Sequence, residues 1–164
     1  ITQFPQTMKL AGGLLQFSYR GATPAYVSAW QERWVAQPAP VDKDFKVTTA
    51  FSAAHLTAGK PVDLKVQVEV LRDAEYVMVE VPIPSGCMYE SKPQAGVGES
   101  HREYAYEKAN IYCKQLKRGH YTFTIPLLAR FAGNYTLNPA LVECMYFPTI
   151  FGREGQKRVV IGRK

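Results

Sequence analysis

The chain has 164 residues, 46% hydrophobic and 21% charged, with a formal net charge of +6. That suits one ordinary domain, or one domain plus a fragment, with material for a real core and too little charge bias for disorder. No apolar run reaches the length of a membrane helix, and glycine has no three-residue period, so a helix-spanning protein and a collagen-like fibre are excluded.

The chain begins at Ile1, and the stretch to Gly12 lacks the basic start, apolar centre and small-residue cleavage site of a signal peptide. It reads as a piece cut from something longer. Leu14 to Arg20 and Ala25 to Trp34 read as two strands joined by Gly21-Ala22-Thr23-Pro24. Ala36-Gln37-Pro38-Ala39-Pro40-Val41 follows as a stiff, extended spacer. A domain boundary is expected near residue 43. Two strands cannot form their own core, so residues 1–43 are expected to be the closing piece of a preceding β-domain. Their Trp30 and Trp34 should dock on the main body or pair with a second copy through residues 14–34.

From residue 44 onward the period is two. Val62, Leu64, Val66, Val68 and Val70 alternate with polar residues, as in a strand with one face on a core and one in water. Thr57 to Pro61 turns before it and Asp73-Ala74-Glu75 after it. Tyr76 to Val81 is the next strand, ended by Pro82-Ile83-Pro84-Ser85-Gly86, where the prolines remove ladder donors. Ser91 to Ser100 is a loop, with Gly96-Val97-Gly98 its flexible part, and His101 to Ala105 a strand. A hairpin turn falls at Glu107-Lys108, and Ala109 to Leu116 returns. Lys117-Arg118-Gly119 turns into His120 to Leu127, which puts Tyr121, Phe123, Ile125 and Leu127 on one face. Ala132-Gly133-Asn134 and Asn138-Pro139 turn. Leu141 to Phe147 and Lys157 to Ile161 complete the set. Short strands parted by turns predict an all-β, antiparallel Ig-like sandwich over 44–164. Leu64, Val66, Val68, Val79, Tyr121, Phe123, Ile125 and Val142 are the predicted core.

The residues that could carry chemistry are scattered. His55, His101 and His120 are isolated from any ligand pattern, and the gaps between Cys87, Cys113 and Cys144 are not those of a metal knuckle. No metal and no cofactor is expected. Cys113 and Cys144 lie in apolar runs and read as small buried hydrophobes. An odd count leaves at least one free thiol. An oxidising envelope compartment would allow one disulfide, whose pair the spacing does not choose. No Gly-x-Ser-x-Gly elbow or complete dinucleotide fingerprint is present. Glu99, Glu103 and Glu107 read as strand and turn residues, not as acid–base carboxylates. Asn134-Tyr135-Thr136 fits a glycosylation sequon, a short and often fortuitous pattern. The basic residues Lys157, Arg158, Arg163 and Lys164 read as a solvated tail, so no nucleic-acid partner is expected.

One stretch carries more. Gln115 to Phe123 leads through Leu128-Ala129-Arg130-Phe131-Ala132-Gly133-Asn134-Tyr135 to Val142-Glu143-Cys144-Met145-Tyr146-Phe147-Pro148, then Gly152-Arg153. This resembles the last, macroglobulin-like domain of bacterial alpha-2-macroglobulin-like proteins. Leu56-x-x-Gly59-x-x-Val62 and Val81 to Gly86 fit as well, although Val81-Pro82 stands where the family has an Asp-x pair. Tyr19 to Trp34 resembles the strands that close the domain before it. The resemblance implies a non-catalytic, receptor-binding-like C-terminal domain of an endopeptidase inhibitor in the periplasm or cell envelope. Its partners would be other domains of the same parent protein, and target proteases only through the full-length protein. None of the three cysteines carries a Cys-x-x-Gln thioester motif. The signature positions Met145, Tyr146, Pro148, Gly152, Gly133 and Gly119 are expected to serve the fold or an interface. Met145 and Tyr146 read first as packing residues at a strand end. The alternatives are an Ig-like adhesion or glycan-binding module of a large surface protein and, last, a Cys–His hydrolase.

Overall fold

Strands that alternate apolar and polar residues can bury their apolar face only against a second layer. The computed structural model, which describes residues 16–24, 26 and 34–164, contains that arrangement. The chain divides into two compact units, Ile1–Trp34 and Val35–Lys164. In the first, residues 16–24 form no regular element and bend at Ala22 and Thr23. The strands expected over 14–20 and 25–34 otherwise fall outside the described residues, as does Trp30.

The second unit holds twelve strands: β1 (Phe45–Phe51), β2 (Leu56–Thr57), β3 (Lys60–Val70), β4 (Ala74–Pro82), β5 (Cys87–Tyr89), β6 (His101–Tyr104), β7 (Lys108–Leu116), β8 (Gly119–Ala129), β9 (Gly133–Leu137), β10 (Leu141–Cys144), β11 (Phe147–Arg153) and β12 (Lys157–Gly162). One sheet runs β1-β3-β8-β5 and the other β11-β10-β4-β7-β6. A small third sheet, β2-β12-β9, contains the single parallel pairing among the described residues, β2 with β12. The protein is an all-β sandwich.

Leu64, Val66, Val68, Phe123, Ile125 and Leu127 from the first sheet meet Val77, Val79, Val81, Ile111, Cys113 and Val142 from the second, all buried. Fully burying a side chain of this kind is worth roughly 1.5–3 kcal/mol. The longest ladder pairs β3 with β8 over their whole length, from Lys60 opposite Ala129 to Val70 opposite Gly119. Every predicted core residue is buried except Tyr121, which is half-buried. Its hydroxyl needs a polar partner and donates to the Lys117 carbonyl at 3.0 Å.

Three expectations are corrected. Leu141 to Phe147 is not one strand: it ends at Cys144, turns at Met145-Tyr146 and returns as β11. Gly133 and Asn134 do not turn but open β9. Strands β1, β2, β5 and β11 add to the expected set.

The edges are closed by specific contacts. Gly152 on β11 lies against β1, where a Cβ would come within 2.1 Å of the Phe45 carbonyl oxygen. Only glycine lets these two backbones, one from each sheet, approach so closely. On the same strand Arg153 exchanges two backbone hydrogen bonds of 2.8 Å with Val41, so the end of the Pro-rich spacer lies along β11. Glu154, buried just beyond β11, accepts the Thr49 N–H at 2.8 Å and the Thr49 hydroxyl at 2.7 Å, and pairs with Lys157. A carboxylate thus caps a backbone donor on the outer strand β1 that would otherwise invite a foreign strand.

Candidate functional site

The β10–β11 hairpin turns on two residues, Met145 and Tyr146, between Cys144 and its partner Phe147. Two-residue hairpins favour turns with positive φ, supplied by Asn-Gly or Asp-Gly. Met145 and Tyr146 supply neither that chemistry nor that backbone. The register then breaks, since Glu143 pairs with Phe151 and leaves 148–150 bulged out of the ladder. A bulge of this kind takes up twist that the turn does not provide. At the tip the side chains point outward: Met145 is 37% exposed, Tyr146 69% and Phe147 65%. Met145 and Tyr146 are therefore not core packing residues, contrary to the first expectation from the sequence.

Beside the tip stands Tyr76 on β4, whose φ is +52°. A left-handed tyrosine is uncommon and costs on the order of 1–3 kcal/mol. The β4–β7 ladder lapses there, between the Glu75–Gln115 and Val77–Cys113 pairs. The Tyr76 carbonyl instead accepts the Met145 N–H at 2.9 Å. The Tyr76 and Tyr146 rings meet edge to face, 5.2 Å between centroids at 76°. A groove of about 490 Å³ opens beside the paired rings, lined by both tyrosines and also by Phe45, Cys144, Phe147 and Ile150. Arg72, Asp73 and Glu75 stand at its rim, and Arg72 is bonded at 2.5 Å to the buried carboxylate of Asp44.

The other signature residues lie elsewhere. Gly119, with φ +154°, opens β8, Gly133 opens β9, and Gly152 is the close approach to β1. Pro148 lies exposed in the bulge after the tip. The structure brings Met145, Tyr146 and Pro148 together and leaves the glycines as parts of the fold.

The residues of the hydrolase alternative do not assemble. His55, His101 and His120 are exposed, and His101 stacks on Tyr112 at 5.9 Å. Burial pushes the Cys87 thiol up to about 11, and burial with the charge of Glu99 does the same for Cys113. Cys144 is raised by burial and the nearby Asp44. All three are free thiols, protonated at neutral pH and poor nucleophiles. Among the described residues no group of three or more His, Cys, Asp or Glu is placed to hold a metal, and no helix is long and apolar enough to cross a membrane.

One ion pair lay beyond the reach of the sequence reading. Glu99 and Arg102 have side chains only 5% and 8% exposed and are joined by two bonds of 2.5 and 2.7 Å. Arg102 also donates to the Thr124 carbonyl at 2.9 Å, which links β6 of one sheet to β8 of the other. Burial alone would raise the Glu99 carboxyl. The Arg102 guanidinium and the Gly96 backbone outweigh it and hold the group below the usual carboxylate range. With the Tyr104 hydroxyl donating to the Pro93 carbonyl at 2.8 Å, the 91–100 loop is latched near both ends. Glu103 serves the strand, accepting from the Tyr112 hydroxyl at 3.0 Å.

Comparison with solved structures places the architecture. A Salmonella alpha-2-macroglobulin, the mutant Y1175G, superposes with a TM-score of 0.66 at 17% identity over 76% of this chain and 10% of that one. Native alpha-2-macroglobulin of Escherichia coli, spanning domain MG7 to the C-terminus, gives 0.65 at 16% identity, over 76% of this chain and 24% of that one. The chain thus spans between a tenth and a quarter of these structures. A curated Dictyostelium discoideum protein, circularly permutated Ras protein 2, is 38% identical over 55 residues, which are 34% of this chain and 1% of that protein. Residues 35–149, from the spacer through the exposed hairpin into β11, match the family model of the bacterial alpha-2-macroglobulin MG10 domain, and the chain belongs to that family.

Proposed function

We propose that this is the non-catalytic C-terminal domain of a bacterial alpha-2-macroglobulin-like protease trap of the cell envelope. In this reading it docks on other domains of its own parent chain through the face built around Met145 and Tyr146. The observation that carries the reading is the hairpin tip. A domain of a long multidomain protein presents Tyr146 and Phe147 to solvent, at 69% and 65% exposure, in a turn that folding alone would build from other residues. Exposed aromatics gathered at one site mark contact surfaces. Trapping belongs to the assembled parent, and this chain has the role of a part that packs and moves.

Tyr146→Ala tests the reading in two settings. In the 164-residue chain, melting should shift by only a few degrees, because the ring is mostly exposed. In the full-length parent, the same change should alter closure on a protease, read as the fraction of protease captured. A large melting loss in the isolated chain would make Tyr146 a fold residue. Equimolar inhibition of a protease by the 164 residues alone would overturn the docking role.

A further inference from the structure

The end of the sandwich away from the β10–β11 hairpin gathers four segments, residues 57–62, 84–89, 127–137 and 158–164. Lys60 and Cys87 stand on either side of Ala129, whose carbonyl accepts the Gly59 N–H at 2.7 Å. The Gly86 carbonyl accepts the N–H groups of Arg130 and Phe131, and the Gly162 carbonyl accepts that of Ala58. Val160 lies opposite Asn134, and Arg158 opposite Thr136. Together these segments hold five basic residues, Lys60, Arg130, Arg158, Arg163 and Lys164, and no acidic one. All five are exposed, and none forms an ion pair among the described residues. Asp63 and Glu90 are level with Pro126, three residues or about 10 Å back along the sheet. Glu107 of the β6–β7 turn meets the chain at Ile83, three residues before Gly86. Three apolar side chains stand among the charges: Phe131 at 60% exposure, Val160 at 57% and Met88 at 40%. Arg130 ties two of them together, donating to the Met88 sulfur at 3.1 Å with its guanidinium 5.5 Å from the centre of the Phe131 ring.

We propose that this end is a docking surface for an anionic phospholipid bilayer, on which the five basic side chains meet head-group phosphates and Phe131 and Val160 enter the interface. Sequence alone makes Arg158, Arg163 and Lys164 a solvated tail, but strand pairing sets them beside Lys60 and Arg130. Charges of one sign without counter-charge match an anionic surface. The apolar side chains decide which one. A soluble polyanion leaves Phe131 and Val160 in water, whereas the boundary between head groups and acyl chains accepts both kinds of side chain. One basic residue near such a surface is worth about fivefold in partitioning, so five hold a domain there without a spanning segment. The hairpin lies past the far end of β3, about 30 Å away, so this contact leaves the hairpin face free. The proposal uses the envelope location proposed above only as the source of the bilayer, and binding to vesicles is measured without it.

Sedimentation of the 164-residue chain with vesicles tests the surface, comparing pure phosphatidylcholine with phosphatidylcholine containing about 30% phosphatidylglycerol. The wild type should partition at least about tenfold more strongly onto the anionic vesicles, and raising salt from about 0.05 to about 0.5 M should remove most of the difference. The triple variant Lys60→Gln, Arg130→Gln, Arg163→Gln should lose binding on the order of 100-fold. The triple variant Lys65→Gln, Lys114→Gln, Arg118→Gln removes the same net charge elsewhere and should lose no more than about threefold. Phe131→Ser should lose about fivefold or more on the anionic vesicles. Every substituted side chain is exposed, so each variant should melt within about 3 °C of the wild type. Equal losses from the two triple variants would make the attraction one of net charge and overturn the surface. No preference for anionic vesicles overturns the proposal outright. A Phe131→Ser chain that binds as well as the wild type overturns the bilayer as occupant and points to a soluble acidic partner.

Discussion

At the residue scale, the Glu99–Arg102 pair sets a pH dependence. Both side chains are almost wholly removed from solvent, so loss of either charge would strand the other in a poorly solvated site. The Glu99 carboxyl is held below its ordinary value of 4.5, despite burial, by Arg102 and the Gly96 backbone. A depressed folded value means stability that is present above the unfolded pKa and lost as pH falls through the folded one. The latch should therefore be at full strength from about pH 5 upward and weaken in acid. In Glu99→Gln the corresponding part of the melting-temperature loss below pH 5 should vanish, with a lower melting temperature at pH 7. Parallel titration curves for variant and wild type would contradict this. The Asp73 carboxyl, lowered by the Arg118 N–H and Lys117, is fully exposed and should add little.

At the scale of elements, the strands divide by how their pattern is made. In β3 and β8 every second residue is apolar, and both formed where the alternation placed them, in mutual register. Val66 is wholly buried at the centre of β3, opposite Phe123. Val66→Asp would place an unpaired charge there and should cost more than about 3 kcal/mol, with a melting loss above about 10 °C or failure to fold. A melting temperature equal to that of the wild type would show that the strand phase is wrong. The β10–β11 hairpin escaped the same reasoning. Val142 to Pro148 contains no glycine, asparagine or aspartate to announce a turn, so the run looked continuous. Its reversal depends on Tyr76, a neighbour on another strand, which accepts the Met145 N–H.

At the scale of the molecule, the two sheets meet at their edges as well as across the core. The seam at β1 and β11 closes because Gly152 has no side chain. A methyl there would lie 2.1 Å from the Phe45 carbonyl oxygen, a backbone atom that cannot swing aside. Gly152→Ala must push β11 away from β1 at a cost of roughly 1–3 kcal/mol, or about 5–10 °C in melting temperature. Amides of Phe45–Phe51 and Phe147–Arg153 should exchange faster as the seam loosens. An unchanged melting temperature would mean that the two strands are not held in contact. Because the exposed hairpin begins β11, the same seam fixes where the candidate docking face sits.

The all-β class, the phase of the long strands, most of the core and the family resemblance were legible in the sequence. They rest on period-two patterning and short motifs, which act over a few residues and need no knowledge of distant neighbours. The candidate face was legible only in part, through the Met145-Tyr146 motif, and its exposure was not. What the tertiary structure alone decided is non-local. The left-handed φ of Tyr76 follows from its place between β7 and β10, and nothing in Asp73-Ala74-Glu75-Tyr76 signals it. Glu99 and Arg102 are close in sequence, yet their burial depends on the Thr124 carbonyl of the opposite sheet. Glu154 caps Thr49 across 105 residues of chain. Local pattern selects which face of a strand is apolar, whereas the positions of edges, strained residues and buried charges emerge only when the two sheets have closed on each other.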